Sequence, residues 1–282
     1  MSSIPFYAKR FISGSNFTEA FEVVKNLNKK NISVTLDVLG ENITEKEQAL
    51  KFTEEYIALL NEIARQQLNC YVSVKLTILG LDINENFCYE NLSKILLVAD
   101  SINSRVAFDM EGSGYTERTL TMYEKAAKEF KSPEIVLQAY LHRTEKDLAR
   151  VIAANGRMRL CKGAYNEADE VAFQKMSDIV AHYKKNIETL LLSGKRICIA
   201  SHDDEIIKYC MDFIKNNNIS KDKYEFQMLY GMREKTWSKI AEQGYNMTVY
   251  VPYGKEWKAY YMRRLAERKE NIFFVLKNFF RS

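Results

Sequence analysis

Apolar residues recur along this chain with two alternating periods. After Asn16, Phe17, Phe21, Val24 and Leu27 are spaced as one face of a helix, and SVTLDVLG (33–40) then switches to a short β-rich run. The alternation repeats. Thr44-Glu45-Lys46-Glu47 has the form of a capping box and opens a helical stripe of Ala49, Phe52, Tyr56, Leu59 and Ile63. YVSVKLT (71–77) follows, then a helix carrying Leu92, Ile95, Leu96 and Ala99, then RVAFDME (105–111). Further runs are EIVLQAY (134–140), MRLCKG (158–163), RICIAS (196–201), YEFQMLY (224–230) and NMTVYVPYG (246–254). Helical patterns separate them, and Gly156, Gly194 and Gly244 stand where helix C-caps are expected.

Eight short apolar runs, each followed by a helix and none joined to the next by a two-residue hairpin turn, describe parallel βα units. A closed (βα)8 barrel of the TIM type is the expected fold. A short helical segment precedes the first strand and a helix closes the C-terminus. A doubly wound open sheet is the alternative, since strand order is not encoded in the pattern. The 282 residues suit either two domains of roughly 150 or one large barrel. With no linker or break in composition, a single domain over 1–282 is preferred.

Composition narrows the class of protein. With 46% hydrophobic and 28% charged residues the chain is globular, and 3 prolines and 11 glycines leave little punctuation for an all-β sandwich. A net charge of +4 is too small and dispersed for a nucleic-acid surface. The five cysteines (Cys70, Cys88, Cys161, Cys198, Cys210) form no CxxC pair, so neither a disulfide framework nor a zinc site is expected. The N-terminus has no signal-like apolar stretch and no run reaches membrane-span length, which reads as a soluble cytoplasmic protein.

Polar residues collect at the strand ends, the face where such a barrel carries its active site. They are Asp37 and Glu41, Lys75, Asp109 and Glu111, Gln138 and His142, Arg159 and Lys162, His202 and Asp203, Gln227, and Tyr250 and Tyr253. Any one of them fits a solvated loop, but together they point to a large polar ligand over the mouth. On the last helix, Tyr260 and Arg264, and Arg263 and Glu267, are four apart; they read either as a solvated face or as paired guanidinium groups for a carboxylate. GxGxxG, P-loop, HExxH and GxSxG motifs are absent. His182 falls mid-helix and reads as structural, whereas His202 at a strand end is the better functional candidate.

These strand-end strings resemble the flavin-dependent proline dehydrogenase family, in particular its short monofunctional bacterial members. The matching segments are LDVLGE (36–41), YVSVKL (71–76), AFDMEG (107–112), RLCKGAY (159–165), EFQMLYGM (225–232), and YVPYG (250–254) through YYMRRLAER (260–268). The resemblance implies a (βα)8 barrel holding FAD. It implies that Arg263, Arg264 and Lys75 bind the substrate carboxylate, and that Tyr250, Tyr260 and Leu229 pack on the proline ring. Glu41 would pair with the first arginine as a gate, and Asp109 would support the substrate-side hydrogen bonds. For the flavin it implies Gln138 and Arg159 at the isoalloxazine and Lys162, Gly163 and Ala164 along the pyrophosphate, with Tyr165 also among the cofactor-binding residues. Ser201, His202 and Glu267 would lie toward the ribose and adenine. Two positions depart from the larger bifunctional relatives: Asn166 replaces a tryptophan, and Ser201-His202-Asp203 replaces Thr-His-Asn, both on the adenosine side.

The implied reaction is oxidation of L-proline to Δ1-pyrroline-5-carboxylate, with hydride passing to flavin N5 and electrons passed on to a membrane quinone. The amine must be neutral at transfer, and with no evident base its proton is expected to leave to solvent before closure. A pyrroline-5-carboxylate dehydrogenase is the expected partner for the product. The aromatic, mildly basic segment 271–282 reads either as a final helix packed on the barrel or as a peripheral contact with the inner membrane. Two other readings remain: a Schiff-base enzyme using Lys75 or Lys162, and a non-catalytic ligand-binding barrel.

Overall fold

The computed structural model describes residues 4–266. Eight parallel strands pair in chain order and β1 closes on β8: β1 Ser33–Val38, β2 Cys70–Val74, β3 Val106–Phe108, β4 Pro133–Gln138, β5 Arg157–Cys161, β6 Ile197–Ala200, β7 Tyr224–Leu229 and β8 Met247–Tyr253. The expected barrel is therefore present and the open sheet is not. Helix α1 (Phe17–Asn28) precedes β1, and one helix follows each strand: α2 Lys46–Arg65, α3 Glu85–Ser101, α4 Thr116–Glu129, α5 Thr144–Ala153, α6 Met176–Leu192, α7 Asp204–Asn216, α8 Glu234–Glu242 and α9 Trp257–Ala266.

Each strand has two unlike faces. Val34, Leu36, Val72, Val74, Leu160, Ile197, Phe226 and Val249 belong to the continuous apolar core. The intervening positions are polar and buried: Thr35, Asp37, Ser73, Glu134, Arg159, Glu225, Gln227 and Thr248. That the second set faces inward follows from its partners. Tyr71 on β2 donates to Glu225 on β7 at 3.3 Å, and Arg159 on β5 lies 3.4 Å from Ser73 Oγ on β2, contacts between non-adjacent strands that only the barrel interior permits. Buried charge is tolerated there because it is paired: Arg105 bridges Glu134 at 2.8 Å and Glu225 at 3.1 Å.

Several boundaries differ from the sequence pattern. β2 ends at Val74 and a 3-10 turn (Leu76–Leu79) follows, so Lys75 sits where the chain leaves the sheet. The capping box does not form. Glu45 is the N-cap of α2 without a side-chain bond, because backbone bonds from Asn42 to Thr77 Oγ1 and from Ile43 to Thr77 O hold the preceding loop and start the helix one residue late. Gly194 and Gly244 take the left-handed conformation after their helices, but after α5 that role falls to Asn155. Gly156 is needed for space instead, since a Cβ there would meet the Tyr123 hydroxyl at 1.9 Å. Asn31, Asn103 and Asn218 likewise turn the chain left-handed after α1, α3 and α7, which accounts for the scarcity of glycine.

One departure from barrel symmetry positions the site. Helix α1 packs against β1 and β8, filling the outer slot that the helix after β8 would otherwise take. Helix α9 packs elsewhere, with Trp257, Tyr260 and Tyr261 clustered against Ile4, Ala8, Phe11, Ile12, Leu39 and Met232. The N-terminal segment is fastened beneath it: Ser13 N–H donates to Pro252 O, and Gly231 approaches Arg10 so closely that a Cβ would lie 1.7 Å from its carbonyl.

Candidate active site

Asp37 near the end of β1 meets Lys75 and Asp109, the residues directly after β2 and β3, at the mouth. Lys75 Nζ lies 2.9 Å from Asp37 Oδ1 and 3.6 Å from Asp109 Oδ2. Burial pulls the lysine down, but the two carboxylates outweigh it and hold the ammonium protonated well above its usual range. Asp109 accepts from Ser73 Oγ at 2.5 Å, from Arg159 at 2.9 Å and from the Tyr250 hydroxyl at 2.7 Å. Burial pushes its carboxyl up, and Lys75, Arg159 and these hydrogen bonds bring it below the usual value. Burial and the Asp109 charge raise Tyr250 well above a free phenol, so it stays a donor.

Helix α9 supplies the opposite wall. Arg263 Nη1 donates to both oxygens of Glu41 at 2.8 and 3.0 Å, joining α9 to the β1–α2 loop. Arg264 and Tyr260 are buried beside each other, the guanidinium 5.1 Å from the ring centre.

The third side comes from β4 to β7. Gln138 is held at both ends of its amide, donating to Glu111 O at 2.9 Å and accepting from Ala164 N–H at 3.3 Å. Gly163 has φ +131, and a Cβ there would lie 2.4 Å from the Tyr140 ring. Lys162 pairs with Asp203 at 3.2 Å; burial raises that carboxyl, and Lys162 together with backbone N–H bonds at the start of α7 more than reverses it. Ser201 Oγ accepts from Asp203 N–H, and His202 Nε2 accepts from Leu229 N–H at 2.9 Å, which ties the β6–α7 loop to the end of β7. Burial lifts the Cys161 thiol to about 12, leaving it no nucleophile. His182, inside α6, is spent on Ala139 O and Glu145.

These residues surround a cavity of about 780 Å³. It is lined by Lys75, Asp109, Gln138, Arg159, Lys162, Gly163, Ala164, Tyr165, Ser201, His202, Leu229, Tyr250, Tyr260, Arg263 and Arg264, all positions singled out in the sequence. Glu41 lines a neighbouring cavity of about 710 Å³ that shares Lys75, Tyr260 and Arg263. Glu267 lies outside the described residues. Sequence reasoning gave no role to Ser73, nor to Asp37 as the lysine's partner. The alternation of Tyr71, Ser73 and Lys75 in YVSVK was the available signal.

A family model described as proline dehydrogenase matches residues 20–277. The chain belongs to the proline dehydrogenase family of enzymes. It is 44% identical to proline dehydrogenase 2 of Bacillus subtilis strain 168 over 270 residues, covering 96% of this chain and 89% of that one. Proline dehydrogenase of Deinococcus radiodurans is 33% identical over 275 residues, with the same shares covered. Among solved structures, proline utilization A (PutA) from Bdellovibrio bacteriovorus, inactivated by N-propargylglycine, superposes with a TM-score of 0.85 at 28% identity. The match covers 92% of this chain and 32% of that one, so this chain corresponds to about a third of that longer protein. Family membership thus agrees with the length and motifs of the short monofunctional type.

Proposed function

We propose that this protein oxidises L-proline to Δ1-pyrroline-5-carboxylate with FAD as cofactor and passes the electrons to a membrane quinone. The observation that carries the reading is the convergence of Lys75, Arg263 and Arg264 on one cavity walled by Tyr250, Tyr260 and Leu229. Three cations suit a carboxylate, and the aromatic and aliphatic walls suit a small saturated ring.

The same cavity fits a flavin. Arg159 Nε and Nη2 are buried donors without a hydrogen-bond partner, 3.7 Å being the nearest approach of Glu134 to Nη2. An isoalloxazine offers acceptors to such donors, and reduction adds negative charge that a buried guanidinium stabilises. Gln138 and Arg159 would hold the ring, Lys162, Gly163, Ala164 and Tyr165 the phosphate stretch, and Ser201 and His202 the ribose side. Bound FAD supplies the two-electron acceptor that no side chain of this site provides.

The protein's own groups bind, orient and exclude water. Asp109 is a poor base, because its proton affinity is lowered and both oxygens are already engaged. The prolinium proton therefore leaves to solvent before the site closes. Lys75, held as an ammonium, is unsuited to Schiff-base chemistry. The product, a cyclic imine, is suited to a pyrroline-5-carboxylate dehydrogenase.

No helix among the described residues is long and apolar enough to cross a membrane. The aromatic segment 271–282, outside the described residues, is the candidate for a peripheral contact with the inner membrane. The visible spectrum of the purified protein tests the central reading: flavin bands that bleach on anaerobic addition of L-proline are expected, and a colourless protein or an unresponsive flavin refutes it.

A further inference from the structure

Asp37 accepts a hydrogen bond from Lys75 yet lines neither cavity. It sits near the end of β1, level with Ser73 of β2 and Pro252 of β8, and is fully buried. Its Oδ1 accepts from Lys75 at 2.9 Å, and the Tyr250 hydroxyl that donates to Asp109 also interacts with the Asp37 carboxyl. Asp109, the lysine's other neighbour, already accepts from Ser73, Arg159 and Tyr250. An ammonium has three N–H donors, and the bond to Asp37 uses one, leaving two for a ligand in the cavity Lys75 lines.

We infer that Asp37 is a positioning residue for substrate binding: it anchors the Lys75 ammonium at the mouth, off Asp109, with two donors turned to the substrate carboxylate. The inference rests on the proposed reading that the ligand is a cyclic amino acid bound through its carboxylate. Burial raises the Asp37 carboxyl above its ordinary value, the cost of holding a charge there that Lys75 offsets.

Two effects of removing this charge oppose each other, and that makes the inference sharp. If Asp37 acts only through the field, Asp37→Asn makes the mouth more positive and tightens carboxylate binding. If it acts by position, the ammonium swings to Asp109, 3.6 Å away, and binding weakens. Losing a charge-assisted contact of this kind corresponds to a change of about tenfold or more.

The test is a titration of the flavin-loaded enzyme with cyclopentanecarboxylate, which has the ring and the carboxylate but no amine, followed by flavin absorbance and paired with proline kinetics. Asp37→Asn should raise both the Kd of the probe and the KM for proline about tenfold, with kcat changed less than about threefold. An unchanged or lowered Kd overturns the inference, as does a loss confined to kcat. Because a lone Asn leaves a buried ammonium short of its partner, the comparison is repeated in a Lys75→Met background, where Asp37→Asn removes the second charge of the pair. There, adding Asp37→Asn should change the Kd less than about twofold, and a further weakening of about fivefold or more shows that Asp37 does not act through Lys75. A parent enzyme that binds the probe yet leaves proline unoxidised would refute the proposed function, while the same titrations still decide the role of Asp37.

Discussion

The Tyr250 hydroxyl donates to Asp109 Oδ2 at 2.7 Å, and this bond joins β8 to the strand-end position after β3 across the mouth of the barrel. Asp109 also receives Arg159 and Ser73, so its two neighbours of greatest chemical interest depend on one carboxylate. Removing the phenol leaves that carboxylate three supports, whereas removing the carboxylate leaves Arg159 and Tyr250 short of an acceptor. Tyr250→Phe is expected to lower kcat/KM about tenfold and Asp109→Ala about a hundredfold or more. Steady-state kinetics of folded variants check the order; a Tyr250→Phe loss larger than that of Asp109→Ala would contradict it.

The Arg263–Glu41 pair is only partly buried, with side-chain exposures of 28% and 24%, so it adds little to stability. On the proposed reading its consequence lies in binding. Arg263→Met is expected to raise the KM for proline by about ten- to a hundredfold while the melting temperature moves little, and Arg263→Lys to recover only part of the loss, since a lysine lacks the two-pronged geometry. An unchanged KM in Arg263→Met would remove this residue from the carboxylate site.

Acid should weaken the barrel through Glu225. Burial raises this carboxyl, but Arg105, Arg196 and bonds from Gln227 and Thr248 more than compensate and bring it from 4.5 down to about 2. A carboxyl depressed in the folded state stabilises the protein above its unfolded value, and the contribution, about 3 kcal/mol at 1.36 kcal/mol per unit, fades as pH falls from about 4.5 to 2. Glu111 and Asp37 are raised by burial and act with the opposite sign, so the difference between parent and variant is the quantity to measure. In denaturant melts, Glu225→Gln should be less stable at neutral pH and should show a flatter loss of stability below pH 4.5; parallel curves would contradict the assignment.

Lys162 faces the cavity already paired with Asp203. An anionic phosphate must compete with that carboxylate for the ammonium. Asp203→Asn is therefore expected to tighten FAD retention several-fold, most visibly at low salt where the screening length is about 10 Å or more. Flavin content after dialysis and refolding with FAD measures it, and weaker retention in the variant would place the phosphates elsewhere.

The barrel was legible because each strand's outer face packs on helices and leaves a short apolar run, and the mouth was legible because lysine, arginine and aspartate interrupt those runs at one end. The interior was not. Arg105 meets Glu225 across 120 residues and Arg159 reaches Ser73 across 86, and no local pattern encodes contacts at such separations. The capping sequence at Thr44 failed for a related reason, as the loop before it is fixed by Thr77 from the next unit. Helix α9 was recognisable as a helix, yet its place over the mouth depends on α1 having filled the outer slot from the other end of the sequence.

That exchange of places sets an order of events. Helix α9 is synthesised after all eight strands, and the surface it covers exists only once β1 has paired with β8. On the proposed reading, the arginines meet a substrate carboxylate only after the cylinder has closed, so ligand affinity reports completed assembly. A growing chain that has not yet made Trp257 can hold every strand and still present no arginine pair to free amino acids during translation.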